Sequence, residues 1–302
     1  MLRFRSAPPE VRLVGAFARP FDHAVAAART CYAGKGIVTA EDVGGDALEP
    51  DERADALCRR DELARDLYQA GHHTVFQHAH FEFAIDRVSR HALWVFFHAH
   101  PFYNSEQVSQ RYVKVGRGST VVPDLGGAAQ EVYESALQRM EDAYHRLTAL
   151  LTPRAESLFF TVFPARSRRP ERWRLEIRRR AQEAARYVLP VATWARLYHT
   201  VSGITLLRYA RMAEPLELPS EVRAVVDAMI AAVLRHEPAY AAVFERPIPA
   251  ADTPEAQALS RIGGLVEPSR AAAFAGEFDA SLGGRVSRLV GWSPDPERRV
   301  AQ

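Results

Sequence analysis

Histidines crowd one stretch of the chain: His72, His73, His78, His80, His91, His98 and His100. Imidazole titrates near neutral pH and is a common metal ligand, so the crowding suits a metal centre or proton transfer. His78, His80 and Glu82 alternate along a stretch that reads as a strand, where alternate side chains share a face, and His98-x-His100 could add ligands. No fixed ligand set accompanies them, and metal binding stands only as an alternative reading. A second candidate is the run Arg166, Arg168, Arg169, Arg172, Arg174, Arg178, Arg179 and Arg180 around Trp173. Such density suits phosphate, in a polynucleotide or a mononucleotide. Glu171, Glu176 and Glu183 interleave with it at helical spacing, which reads more simply as a solvated, paired helix face.

Two further features concern anions. Asn104 and residues 105–112 (Ser-Glu-Gln-Val-Ser-Gln-Arg-Tyr) place small polar groups ahead of Arg111, a pattern whose backbone N–H groups and guanidinium can hold an anion. Ser109 lacks a G-x-S-x-G setting, so it is not read as an acyl nucleophile. Arg186 stands just before Val188, Leu189 and Pro190, and a guanidinium beside an apolar segment requires a partner.

The elements that must position these residues follow from periodicity. Residues 11–17 read as a short buried strand, and Pro20 and Asp22 start an alanine-rich helix to Arg29. Residues 33–52, with four glycines, read as loop. Residues 53–70 have helical spacing, with Leu57, Leu63, Leu67 and Ala70 on one side and Gly71 as the stop. Residues 77–86 alternate, with Ala79, Phe81, Phe83 and Ile85 facing one way. A helix from about Ser89 to His98 is expected to be buried almost all round. Residues 128–151 carry a stripe of Val132, Ala136, Met140, Ala143 or Tyr144, Leu147 and Leu151, closed by Pro153. A helix from Pro170 to Tyr187 follows. Ser220 caps a last one, with Val222, Val225, Met229, Val233 and Leu234 as its stripe and Pro238 at its end.

With 302 residues and a formal net charge of +2, the chain can bury a sizeable core, and no nucleic-acid partner is expected. Cys31 and Cys58 make no disulfide framework, the N-terminus lacks a signal-peptide core, and no stretch has the length to span a bilayer. The expectation is a soluble cytoplasmic protein.

Five blocks in order carry a resemblance. They are residues 27–32 (Ala-Ala-Arg-Thr-Cys-Tyr); 71–78 (Gly-His-His-Thr-Val-Phe-Gln-His) with Phe81 and Phe83; 88–90 (Val-Ser-Arg); 109–112 (Ser-Gln-Arg-Tyr); and 185–190 (Ala-Arg-Tyr-Val-Leu-Pro). In these the chain resembles the flavin-dependent thymidylate synthases over residues 10–245. The resemblance implies an α+β fold, a central sheet flanked by long helices, and a homo-oligomer, typically a tetramer with sites shared between subunits. It implies reductive methylation of dUMP to dTMP, with carbon from methylenetetrahydrofolate and hydride from NADPH through FAD. By position, Arg111 and Arg186 would hold the nucleotide phosphate, and Gln107, Val108 and Ser109 would meet the rest of the substrate, with Arg186 and Ser109 as the catalytic pair. Cys31, His72, Thr74, Gln77, His98 and Arg208 would lie on the flavin side.

The chain departs from the family pattern at several positions. Gln77 replaces an acid, Phe97-His98-Ala99 stands where the family has Arg-His-Arg, and Trp94 replaces a glutamine. A downstream arginine falls at Ala213, with Arg211 two positions away. The alternative is therefore a degenerate nucleotide-binding homologue without flavin catalysis, supporting a second copy of the fold. An echo of Arg12-Leu13-Val14-Gly15 in Arg288-Leu289-Val290-Gly291 suggests where such a copy would begin. The expected division is residues 1–245 as the synthase-like domain, 246–285 as an Ala/Pro/Gly-rich extension, and 286–302 as the start of a truncated repeat.

Overall fold

The computed structural model describes residues 4–34, 36–98, 103–212, 220–244, 254–263, 268–289, 291 and 294–295. The chain divides into two compact units, Met1–Ile248 and Pro249–Gln302. The first is an α+β unit whose four strands are β1 (Glu10–Ala16), β2 (His80–Ser89), β3 (Tyr103–Gln107) and β4 (Trp194–Ser202). They form one antiparallel sheet in the order β1-β2-β4-β3. Its helices are α1 (Pro20–Thr30), α2 (Ala40–Gly44), α3 (Pro50–Gln69), the single turn α4 (Arg90–Ala92), α5 (Gly127–Val162), α6 (Arg174–Ala185), α7 (Gly203–Met212), α8 (Ser220–His236) and α9 (Ala241–Phe244). The second unit contributes α10 (Pro254–Gly263) and α11 (Pro268–Leu282). No helix among the described residues is long and apolar enough to cross a membrane.

Alternation builds the core. Phe81, Phe83 and Ile85 of β2 and Ala195, Leu197 and Val201 of β4 are buried on one sheet face, where they join Phe21, Val25, Leu206, Val222, Val225, Met229 and Val233 in a single cluster. Ala79 is buried with them, as the alternation predicts.

Several expectations need correction. The stretch before β2 is a 3-10 turn, His73–His78, so His78 is not on the strand and the period-two relation to His80 and Glu82 does not hold. The helix expected from Ser89 becomes α4 followed by a π-helical turn, Leu93–Phe97, and it is not buried all round. Trp94 is 75% exposed, because the wider π turn directs only Leu93, Phe96 and Phe97 inward. Pro153 does not close α5, which runs nine residues further to Val162. A proline removes one intrahelical bond, and the continuation is held by Phe159, which packs against Phe163 and Trp173 with the Arg166 guanidinium over all three rings. The residues α5 buries include Leu137, Tyr144 and Thr148, while Val132 and Met140 of the predicted stripe are exposed. The arginine-rich helix is split into 3-10 turns on either side of α6. Within the expected loop, α2 forms on a capping box of Thr39 and Asp42. Ser220 is the first residue of α8, and its N-terminal neighbours lie outside the described residues, as do Val290, Ala99, His100 and Ala213.

An ion network locks α1, α2 and α3 together. Asp22, almost fully buried, accepts from Arg19 Nε at 2.9 Å and from Arg60 Nη1 at 2.8 Å, while Arg19 also reaches Asp46. The Arg19 guanidinium lies where a side chain at residue 44 would be, so only Gly44 admits it. The side chain of Arg60 is 12% exposed. Removing the charge of Asp22 leaves Arg60 largely buried with its Asp61 contact alone, and breaking buried pairs from one side is costly. Asp22→Asn is expected to lower unfolding stability by about 3 kcal/mol, read from urea titration; a change within error would mean that Asp61 alone suffices for Arg60.

Candidate functional site

The site starts where β2 ends. Register slips between Ile85 and Val88, and Arg87 at that bulge takes a left-handed φ of 56°, a conformation that a non-glycine holds only under local constraint. Arg87 is tied down by its Nε to Pro8 O at 3.1 Å and its Nη2 to Glu10 at 2.8 Å. The bulge turns the buried Val88 and Ser89 toward the next element. Ser89 Oγ accepts from Ala92 N at 3.0 Å, capping the turn that carries Arg90. Beneath it, the buried carboxylate of Glu221 in α8 accepts from both Ser89 N and Ser89 Oγ at 2.6 Å. Burial raises the Glu221 pKa above its ordinary value, against the lowering effect of those two hydrogen bonds.

The Arg90 side chain then reaches sideways to the segment after β3. Its Nη1 donates to Gln107 Oε1 at 3.1 Å and its Nη2 to Val108 O at 2.6 Å, while its backbone N–H donates to Thr193 O at 3.1 Å. Burial, and secondarily the charge of Arg186, push the Arg90 pKa below its usual range. Two guanidinium groups therefore share one field. Val108 N pairs with Arg196 O at 2.9 Å, and the chain then turns: Ser109 O accepts from Tyr112 N and Val113 N, and Ser109 Oγ from Arg111 N at 3.3 Å. The result is a depression of about 120 Å³ lined by Asp86, Arg90, Ser109, Gln110, Lys114, Trp194 and Arg196 among others. Three donors among these residues are buried without an acceptor: Arg90 Nε, Gln110 Nε2 and Trp194 Nε1. Orphaned donors each cost roughly 1–3 kcal/mol, and further buried atoms without a partner, among them Arg65 Nε, Tyr144 Oη and Arg179 Nε, belong to residues that do not line this hollow.

The other predicted substrate residues lie around this hollow. Gln107 borders it through Arg90. Arg111 is half exposed, 3.9 Å from Glu183 of α6, and both it and Arg179 lie over the Tyr112 ring. Arg186 ends α6, with its guanidinium over Tyr187. Neither Arg111 nor Arg186 lines the hollow, and its most deeply set cation is Arg90. Sequence reasoning cites Arg90 only as part of a block; the signal available was its place directly after the N-cap serine.

The flavin-side candidates gather on different elements. His72 caps the 3-10 turn that carries the exposed Thr74 and Gln77, and this turn packs on α1 and α7. Cys31 follows α1, exposed, with Sγ 3.4 Å from Ala27 O, and Arg208 lies on α7. The His73 ring stacks on Tyr68, and its pKa is held down by burial and then by the charges of Arg211 and Arg208. His98 follows Phe96 and Phe97, whose rings pack on Tyr209 of α7. Among the described residues no three His, Cys, Asp or Glu groups gather to hold an ion, and His100 lies outside those residues. The His80 ring lies tilted beside that of Phe17, with centroids 5.1 Å apart.

Comparison with known proteins gives a consistent result. Residues 12–239 match the family model described as Thy1, Thymidylate synthase complementing protein. A flavin-dependent thymidylate synthase of Clostridium tetani is 24% identical over 240 residues, 78% of this chain and 87% of that protein. A crystal structure of the UMP/dUMP methylase PolB from Streptomyces cacaoi, bound with 5-Br dUMP, aligns with a TM-score of 0.53 and 19% identity over 80% of this chain and 99% of that one. The flavin-dependent thymidylate synthase ThyX of Helicobacter pylori, complexed with FAD and dUMP, aligns with a TM-score of 0.52 and 15% identity over 80% and 100%.

The Glu221 pair gives a pH test. An acid whose pKa is raised by folding contributes most below the ordinary carboxylate pKa, and loses that contribution as pH rises through the folded value. The stability advantage of the wild type over Glu221→Gln should therefore shrink from acidic to neutral pH in urea unfolding. A gap that widens over that range would mean the Ser89 hydrogen bonds, not burial, dominate.

Proposed function

Because the chain belongs to the thymidylate synthase complementing protein family, we propose that it is a reductive methylase of a uridine monophosphate, most simply converting dUMP to dTMP. The observation that carries this reading is the convergence of three orphaned donors on the hollow beside Ser109, next to two arginines that share one field. Arg90 and Arg186 hold the phosphate between them: an anion there relieves both their mutual repulsion and the burial cost of Arg90. Gln110, Trp194 and the Ser109 turn meet the pyrimidine and sugar, whose carbonyl and hydroxyl oxygens supply the missing acceptors. Ser109 acts by orientation, since its Oγ is already engaged by Arg111 N. The names of the relatives, which specify dUMP, UMP and FAD, support the substrate class and the cofactor.

The residues fit FAD in part. His72, Thr74, Gln77, Cys31 and Arg208 stand on elements that touch one another, and the charges of Arg208 and Arg211 act on His73 beside them. When bound, FAD would supply hydride transfer, with NADPH as the source of the hydride and methylenetetrahydrofolate as the source of the carbon. One observation favours the second reading, a nucleotide-binding homologue without flavin catalysis. Phe97, at the family's first signature arginine, is fully buried against His199 and Tyr209 and offers the cofactor no charge.

The same reading makes the protein a cytoplasmic homo-oligomer, most simply a tetramer. Val132, Met140, Leu150, Leu158 and Val162 are exposed on α5. At helical spacing they occupy about a third of its circumference, a stripe suited to burial against another copy.

Calorimetric titration with dUMP tests the substrate assignment. Arg186→Ala should weaken binding by about 10- to 100-fold, the worth of one charge-assisted contact, with the unfolding midpoint unchanged. Unchanged affinity would remove Arg186 from the phosphate site. In parallel, oxidised-flavin absorption bands after FAD addition separate the flavoenzyme from the homologue that binds nucleotide alone.

A further inference from the structure

A separate cavity of about 380 Å³, within the size range of small-molecule sites, opens beside the Glu221 junction. Its walls are apolar. Val121 and Ala192 are buried in them, and Leu125 and Val191, 49% and 66% exposed, stand at the mouth. Phe4 and Pro123, which pair as an isolated bridge, form another wall, and Arg5 N fastens that N-terminal segment to Val122 O at 2.9 Å. Polar groups enter from Ser89, His91, Tyr133, Ser220 and Glu221 alone. The chain passes from this cavity to the hollow beside Ser109 within a residue or two: Ser89 lines the cavity and Arg90 the hollow, Ala192 the cavity and Trp194 the hollow.

Glu221 decides what the cavity can take. It is 8% exposed, and its oxygens accept from Ser89 N and Ser89 Oγ, both neutral donors. A carboxylate has about four acceptor positions, so Ser89 leaves part of that capacity unused. Among the described residues no arginine, lysine or histidine forms an ion pair with it; His91 acts on it only through its more distant charge. The Tyr133 hydroxyl is committed elsewhere, donating to Val121 O at 3.1 Å. Glu221 nevertheless acts across the cavity, since burial and then its charge raise the Tyr133 pKa. A buried carboxylate held by neutral donors retains its demand for a cation, and an anion in the same space would be repelled.

We propose that this cavity binds a small amine, a protonated nitrogen carried on a compact apolar body. The ammonium donates to Glu221, and the body packs between Val121, Ala192 and Phe4, with Leu125 and Val191 at its edge. Nucleotides and other polyanions are excluded by the same carboxylate, so the cavity is not an extension of the hollow beside Ser109.

Equilibrium binding to the full chain at neutral pH, followed by ligand-observed NMR, tests this with three probes of similar shape: phenethylamine, phenethyl alcohol and hydrocinnamate. The amine should bind about ten-fold tighter than the alcohol, the worth of one charge-assisted hydrogen bond, and the carboxylate should not bind. Glu221→Gln, which keeps a carbonyl for Ser89, should bring amine and alcohol to equal affinity. Leu125→Lys sets a cation at an exposed position of the mouth without touching the core, and it decides the same point if the Gln variant does not fold. It should cancel the amine's advantage over the alcohol. An amine that binds the wild type no better than the alcohol overturns the proposal, as does a preference that survives Leu125→Lys or binding of hydrocinnamate as tight as that of the amine.

Discussion

The arrangement of this molecule turns on a carboxylate buried under the end of a strand. Glu221 spends both oxygens on one residue, Ser89, taking its backbone N–H and its hydroxyl. Ser89 has its remaining capacity committed to Ala92 N, so three elements (the end of β2, the turn α4 and the start of α8) are fixed at one point. Buried carboxylates are expensive unless their hydrogen bonds are complete, and a completed one permits little displacement. Arg90, the next residue, inherits that rigidity. Its own hydrogen bonds to Gln107 and Val108 carry it to the loop beyond β3, which is also tied to β4 and to Glu141 of α5. A pair of hydrogen bonds at the start of α8 thereby sets the geometry of a hollow built from segments far apart in sequence.

How much of this was legible in the sequence depends on whether the signal was local. Alternation at Ala79, Phe81, Phe83 and Ile85 exposed the central strand, and the apolar stripe of α8 was read with its facing residues correct, because both patterns lie within one element. β4 escaped notice although Ala195, Leu197 and Val201 alternate, since His199 occupies a fully buried position on the same face. There its ring stacks on Tyr209 of α7 and meets Phe97 of the π turn edge-on, and Phe97 is far from it in sequence. The short β3 has no core of its own and exists through pairing with β4. Histidine crowding misled for the opposite reason: proximity along the chain implied proximity in space, but the 3-10 turn separates His78 from the strand.

The same distinction explains the site. Ser109 and the segment before it were found from their polar composition, but the depth at which Arg90 is held follows from Glu221, more than a hundred residues away. The predicted phosphate arginines, Arg111 and Arg186, are on the outer side, in contact with α6 and its neighbours. The sequence singles out Arg111 and Arg186 and leaves Arg90 inside a block; burial sets Arg90 apart from both. An arginine at the surface can choose among water and carboxylates, whereas Arg90 has burial and Arg186 acting against its charge, and one N–H without an acceptor.

That imbalance is an argument about function rather than stability. A fold selected for stability alone would have no reason to leave Arg90 Nε, Gln110 Nε2 and Trp194 Nε1 orphaned around one hollow, since each lost partner costs roughly as much as a surface salt bridge gains or more. The network at Asp22, Arg19, Arg60 and Asp46 is complete by contrast, whereas Arg65 Nε and Arg179 Nε are also buried without an acceptor. Strain that is relieved by a ligand and by nothing internal belongs to binding. The flavin side lacks this signature in one respect: at Phe97 the chain has an aromatic ring satisfied within the core, where a guanidinium would have needed an anion. On the reading proposed above, nucleotide recognition and hydride chemistry rest on different elements, the first on the hollow beside Ser109 and the second on α7 and the 72–77 turn.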